Sequence, residues 1–328
     1  MLNLQRINNV MAEIKIIQNN SEIGAGTRGA GLGVEALKVV ARTRENQFFG
    51  RYECFYVQTE NDMLDFETDF QYAKRIDGML SNYQNTKDIL QHIYADNDFP
   101  VILSGDHCCA GGTISGIKTA FPDKRLGVVW IDAHADIHTP YTTPSGNMHG
   151  MPLAIVLNED NLAGKINEPN PEVAGYWNDL KNLGGIAPKI LAEDLIYVSL
   201  RDTEKPEDVY IANKGIENIS VADIRQKGLE YTIEKIKEKM SNCDIVYISF
   251  DVDSMDSVLV SKGTGTPVEN GLSPEEAMHI MTELSAWDKT CCIEMVEINP
   301  CLDNKINRMA EVAFEILEAS VDNIEARI

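Results

Sequence analysis

Seven short runs of consecutive apolar residues punctuate the chain: EIKII (13–17), FYVQ (55–58), PVILSG (100–105), LGVVWI (126–131), LIYVSL (195–200), DIVYISF (244–250) and CCIEMVEI (291–298). They are continuous rather than alternating. A strand with one wet face alternates apolar and polar residues, whereas a strand covered on both faces does not. The chain is therefore expected to build a parallel sheet between two layers of helix. The segments between the runs carry helical periodicity. In LEYTIEKIKEKM, Leu229, Ile233, Ile236 and Met240 share one face, with Glu and Lys opposite. Ser273-Pro274-Glu275-Glu276 combines an N-cap serine, a proline at the first helical position and a glutamate that closes a capping box. The last helix is expected over about 303–326. No repeat, low-complexity stretch or linker interrupts the alternation, so a single α/β domain over 1–328 is expected.

Four of the runs end in residues that have no place in an apolar core. PVILSG runs into Asp106-His107, and LGVVWI into Asp132-Ala-His134-Ala-Asp136. DIVYISF runs into Asp251-Val-Asp253, and CCIEMVEI ends in Glu297. Open parallel sheets bind ligands beyond the carboxyl ends of their strands. On an extended chain, residues two apart point the same way. Asp132, His134 and Asp136 can then converge on one point, as can Asp251 and Asp253. Four clustered carboxylates do not all stay ionised without compensating charge. Two divalent cations resolve the conflict. A ligand set of carboxylates with imidazole favours manganese or a similarly hard ion over structural zinc. A lone Asp-x-Asp is as often a turn or cap. Here, however, four of the six histidines (His107, His134, His138, His149) fall between 107 and 149.

Charge and cysteine content narrow the classes further. The net charge is −22 and no Lys/Arg-rich run exists, so nucleic-acid binding is not expected. Seven cysteines, two pairs of them adjacent and none in CxxC spacing, fit reduced buried thiols. No stretch has the roughly 18 apolar residues of a membrane span. The start, MLNLQRINNVMAEIK, lacks the apolar centre of a signal peptide. A cytoplasmic location is expected. The glycine-rich GAGTRGAGLG (24–33) does not follow a strand as a phosphate loop would, and is expected as a surface loop or active-site lid.

The motifs SGDHCCA, WIDAHADIHTPYTTPSGNMHGMP, SLRD, ISFDVDSMD, GTGTPVENGLS and EMVEINP resemble, in order and approximate spacing, the successive signatures of the ureohydrolases, arginases in particular. The resemblance covers about 100–300. It implies a three-layer α/β/α fold on a parallel sheet of about eight strands, two manganese ions per chain, a metal-bridging hydroxide, and L-arginine hydrolysis to L-ornithine and urea. By the family pattern Asp132 and Asp251 bridge the ions. His107 and Asp136 complete one set, and His134 and Asp253 the other. His149 corresponds to the proton shuttle or general acid, and Glu297 to the acid that grips the guanidinium. His149, Glu297 and Asp136 form the catalytic group. Thr143, Ser145 and Asn147 correspond to the loop that receives the α-carboxylate, and Thr266 to a threonine near the site. A trimer or hexamer is implied as well.

The chain departs from the family pattern in places. Ser104 and Cys108 stand for a glycine and a serine, and His138 for an asparagine near the substrate carboxylate. Glu204, after SLRD, falls near the position of an acid, usually aspartate in the family, that contacts the α-amino group. SVLVSKGTGTP lacks a proline and runs one residue long. The chemistry is coherent apart from any resemblance. Guanidinium is a poor electrophile, so water must become hydroxide near neutral pH, which paired metals achieve. A carboxylate holds the planar cation, and an imidazole protonates the leaving amine. A sister amidinohydrolase acting on agmatine, a guanidino acid or formimidoylglutamate is the nearest alternative, and the TTPSGN loop favours an amino acid. A phosphoesterase would want Arg or Lys beside the metals, where this chain has Glu297. A non-catalytic metal-binding protein would not need the acid–base groups.

Overall fold

Among the described residues eight strands form one sheet, and every neighbouring pair is parallel. They are β1 (Ile14–Asn19), β2 (Glu53–Tyr56), β3 (Phe99–Ser104), β4 (Leu126–Ile131), β5 (Leu195–Val198), β6 (Glu217–Ile219), β7 (Ile245–Asp251) and β8 (Thr290–Val296). Their order across the sheet is β2-β1-β3-β8-β7-β4-β5-β6. This computed structural model describes residues 12–328; the reading of the first eleven residues lies outside it.

The continuous apolar runs are explained by the two faces they serve. In β4, Val129 and Ile131 enter one core, and Leu126, Val128 and Trp130 the other. The first core is closed by helices Gly33–Thr43, Leu229–Lys239, Pro274–Ser285 and Arg308–Glu325. The second is closed by Ile76–Ala95, Ala110–Ala120, Pro152–Leu157 and Pro171–Lys181. Ile233, Ile236 and Met240 are buried as their spacing requires. The capping box at Ser273 forms: its hydroxyl accepts from Glu276 N at 3.1 Å, and Glu276 accepts from Ser273 N at 2.8 Å.

All seven expected strands form, β4 with the expected ends and the other six with shifted ones. The edge strand β2 begins two residues early, at Glu53, and pairs only with β1. The eighth strand, β6, is three residues of ENI on the opposite edge, with no apolar run to announce it. The last helix starts at Arg308 rather than near 303. Asp303 holds the preceding residues in a turn: its carboxylate accepts from Lys305 N, Met309 N and Ser261 Oγ, and Ile306 and Asn307 have positive φ. Cys301 is exposed, Cys54 and Cys291 are partly covered, and the other four cysteines are buried; all seven are free thiols.

The topology locates the crevice. β1 to β3 lie on one side of the sheet and β4 to β6 on the other; β7 and β8 return to fill the gap. The connections leaving β3 and β4 therefore diverge, and a cleft opens over the carboxyl ends of β3, β8, β7 and β4.

Candidate metal centre and active site

His107 is fixed before any ligand is considered. Its ring stacks on Trp130, with centroids 4.0 Å apart and planes 4° from parallel. Nε2 lies 2.7 Å from Ser249 Oγ on β7, and the backbone N–H donates to Glu297 Oε1 at 3.0 Å. Nδ1 then faces Oδ2 of Asp132, Asp136 and Asp251 at 2.9, 3.0 and 3.1 Å. A second focus lies beside the first. His134 Nδ1 is 3.0 Å from Asp253 Oδ2 and 3.5 Å from Asp132 Oδ1. Asp132 serves both clusters, and its Oδ2 also accepts from Trp130 Nε1 at 2.9 Å.

The expected residues converge, but extended-chain alternation is not the reason. β4 stops at Ile131, and Asp136 has a φ of 48°. Asp132 instead folds its carboxylate back on the chain, where Oδ1 accepts from His134 N at 2.7 Å. Asp253 sits in a 3-10 turn closed the same way, its N–H donating to Asp251 Oδ1 at 2.8 Å. Each aspartate caps the turn that presents the next donor.

These residues fit a pair of cations. Asp132, Asp136, Asp251, Asp253, Asp106 and Glu297 are all less than a tenth exposed. Burial together with Asp253 and Asp132 pushes the Asp251 carboxyl well up. Burial and Asp132 push Asp136 up to about 6. Burial opposes ionisation of Asp132 as well, yet His107 and His134 hold its carboxyl below the usual range. His107 Nδ1 is buried and makes no aligned hydrogen bond despite its three oxygen neighbours. A lone pair ringed by carboxylate oxygens is what a metal ligand requires. His107, Asp132 and Asp251 form one possible ligand set, and Asp132, His134 and Asp253 another, with donor atoms of each set within 4.8 Å of one another. Asp136 borders the first set through His107.

Above the clusters lies a cleft of about 260 Å³. At its floor Glu297 Oε2 is buried without a partner, and Oε1 is 3.5 Å from His149 Nδ1. Burial works against the His149 cation, but Glu297 beside it raises the imidazole to about 9. Thr266 Oγ1 donates to Asp253 Oδ2 at 3.0 Å. Thr143, Ser145 and Asn147 line the cleft, with Thr143 Oγ1 accepting from Gly146 N at 2.9 Å and so shaping the turn. His138, also in the lining, has Nε2 3.5 Å from both the Glu204 and Glu207 carboxylates. Burial pushes His138 down to about 4 and Glu207 up to about 8. The glycine-rich segment packs behind this site. Gly24 N donates to Asp106 Oδ2 at 2.8 Å and Gly24 O accepts from His149 N at 3.1 Å, while Ile23, Ala25 and Ala30 are buried.

The arginase family model matches residues 12–321. The chain is 30% identical to the arginase of Bacillus subtilis over 313 residues, covering 93% of this chain and 96% of that one. It is 32% identical to rat arginase-1, covering 88% and 85%. The chain belongs to the arginase family. It is a hydrolase of that family, and its fold agrees. A crystal structure of Bacillus subtilis arginase superposes with a TM-score of 0.79 at 30% identity, covering 94% of this chain and 98% of that one. A formimidoylglutamase from the same organism, at 17% identity and a TM-score of 0.71, shares the fold.

Within this arginase-family site several residues have no single-residue sequence signal. Asp106, next to His107, is buried under the cleft and pushed up to about 7 by burial and Glu297. Glu207 accepts from Glu204 N at 3.0 Å and lines the cleft from a helix start. The Glu-x-x-Glu spacing before a proline-containing helix turn was its one available signal. Arg201, of the SLRD motif, donates to the carbonyls of Ser199, Asp253 and Val268 and clamps the loop that carries Asp253. Among the described residues, no helix is long and apolar enough to cross a membrane.

Proposed function

We propose that the chain is one catalytic domain over 1–328 that hydrolyses L-arginine to L-ornithine and urea with two manganese ions. The observation that carries this reading is the pair of donor sets sharing Asp132, roofed by a buried carboxylate oxygen of Glu297 that has no partner. His107 and Asp136, with Asp132 and Asp251, would hold one ion; His134 and Asp253, with the same two aspartates, would hold the other. When bound, the two ions supply Lewis acidity that makes water a competent nucleophile near neutral pH.

The rest of the work belongs to the side chains. Glu297 Oε2 accepts from the guanidinium and turns its carbon toward the metal floor. Asp136 takes up the proton that the attacking water releases. His149, kept protonated by Glu297, donates its proton to the leaving amine. Thr266 fixes the orientation of Asp253. Ser145 and Asn147, with Thr143 shaping their turn, receive the α-carboxylate together with His138, and Glu204 borders the α-amino end. The curated relatives named arginase support arginine over the sister amidines. A cytoplasmic homo-oligomer, trimer or hexamer, belongs to the same reading.

The test is urea release by manganese-loaded protein across L-arginine, agmatine, guanidinobutyrate and formimidoylglutamate, the last followed by formamide release. Turnover is expected with L-arginine first. Faster turnover of agmatine, or none of any guanidine, would sink the reading.

A further inference from the structure

The loop at the mouth of the cleft, 143–147, is held from behind by residues 71–75. Lys74 N donates to Gly146 O at 2.8 Å. Gly146 has a φ of 75°, and a Cβ there would lie 2.0 Å from Gln71 O, so only glycine permits the approach. From this anchor the Lys74 side chain reaches the cleft-lining Asn147, with Nζ donating to Oδ1 at 3.1 Å. With Oδ1 held by Lys74, the amide is fixed, and its Nδ2 packs against Gly26, where a Cβ would lie 2.5 Å away. Among the described residues Nζ has no carboxylate partner, in a chain with 51 acidic residues against 29 Lys and Arg. Arg75 follows it directly, and Arg28 is close enough for its charge, after burial, to lower Arg75. The cleft lining also carries Asp202, Glu204 and Glu207. The cleft thus combines acids from the segment after β5 with an unpaired cation behind the neutral donors of 143–147.

Ser145 and Asn147 offer a carboxylate hydrogen bonds but no charge, and a protein at −22 repels an anionic group arriving there. We propose that Lys74 is a specificity-determining residue that selects guanidino substrates bearing a free carboxylate, by its charge and by fixing the Asn147 amide. The inference rests on the guanidino-amino-acid reading of the site. A guanidine with no carboxylate gains nothing from Lys74.

Three variants separate charge from hydrogen bonding. Lys74→Arg keeps both, Lys74→Gln keeps a donor for Asn147 and loses the charge, and Lys74→Met loses both. Urea release is followed with L-arginine and with L-argininamide, which differs only in its neutral amide and is read as a competitive inhibitor if it does not turn over. Metal content and thermal midpoint are checked on each preparation. Lys74→Gln and Lys74→Met are expected to raise KM for L-arginine about five- to tenfold, the scale of a partly screened charge, with kcat within about twofold. Lys74→Arg should stay near wild type, and constants for L-argininamide should not move. Normal kinetics in Lys74→Gln, or equal losses with both compounds, would overturn the proposal. Metal-loaded wild type that releases no urea from L-arginine would instead refute the reading of the function, and this inference with it.

Discussion

Glu297→Gln removes one charge and almost no volume, and the surrounding atoms fix what should follow. Glu297 Oε1 accepts from His107 N at 3.0 Å. In the variant the amide oxygen must take that place, because an amide NH2 there would face another N–H. The NH2 is then left where Oε2 stands, pointing donors at a guanidinium that has only donors itself. Since Oε1 is already engaged, one oxygen rather than two is at stake. A hydrogen bond to a charged group contributes about 1.5–3 kcal/mol, so kcat/KM for L-arginine should fall between about ten- and a hundredfold. His149 should respond as well. Glu297 raises it to about 9 against the pull of burial, so the variant imidazole loses its proton at lower pH. The alkaline limb of the kcat profile should therefore move toward neutral pH. Urea release from pH 6 to 10 and metal analysis on the same preparation make the assay. Glu297 belongs to neither donor set, so metal content should stay unchanged. Departure of the metals together with activity would show that Glu297 is a ligand, and unchanged kinetics would show that no guanidinium sits on it.

Asp132→Ala, which removes the carboxylate common to both sets, should abolish binding of both ions, whereas Asp253→Ala should spare the set around His107; elemental analysis after manganese loading distinguishes them. Gly146→Ala must displace Gln71 or the loop, and should raise KM for L-arginine with metal content intact, at a stability cost of about 1–3 kcal/mol read from denaturant unfolding. Burial pushes Lys189 down to about 8 from an ordinary 10.5, so between those values the unfolded chain holds the extra proton. Stability should consequently rise with pH from about 8 to 10.5, by at most roughly 3 kcal/mol, with the gain lost as pH falls back across that window and absent below 8. Lys189→Met should flatten that slope in urea titrations, and an unchanged slope would show that Lys189 is not its source.

The sheet was legible because two covered faces leave a plain mark: LGVVWI names β4 to the residue. β6 left none, since a three-residue edge strand needs only backbone pairing and ENI has no face to bury. The donors were legible as residue types at strand ends, but the reason they converge was not. Alternation suggested a straight strand, whereas Asp132 and Asp251 each bend the chain by capping their own turn, a hydrogen bond that no spacing rule encodes. Glu207 and Lys74, and the role of Asp106 though not its place after β3, escaped for a different cause. Each draws its role from a segment distant in sequence: Glu207 from Ile137 and His138, Asp106 from Gly24, and Lys74 from Gly146. The glycine-rich stretch was expected as a surface loop or lid; its glycines allow the backbone to lie directly on Asp106 and Asn147.

The stack of Trp130 on His107 also gives the centre an optical reporter. Indole emission is sensitive to charge and to hydrogen bonding at its N–H, and this N–H is given to Asp132, the carboxylate common to both donor sets. The other two indoles stand apart from the cluster: Trp177 donates to Asp160, and Trp287 lies beneath Lys237 and Lys289. Filling the site therefore alters the electrostatic surroundings of one chromophore of the three. Occupancy can be followed by intrinsic fluorescence, with no dye, no substrate and no turnover.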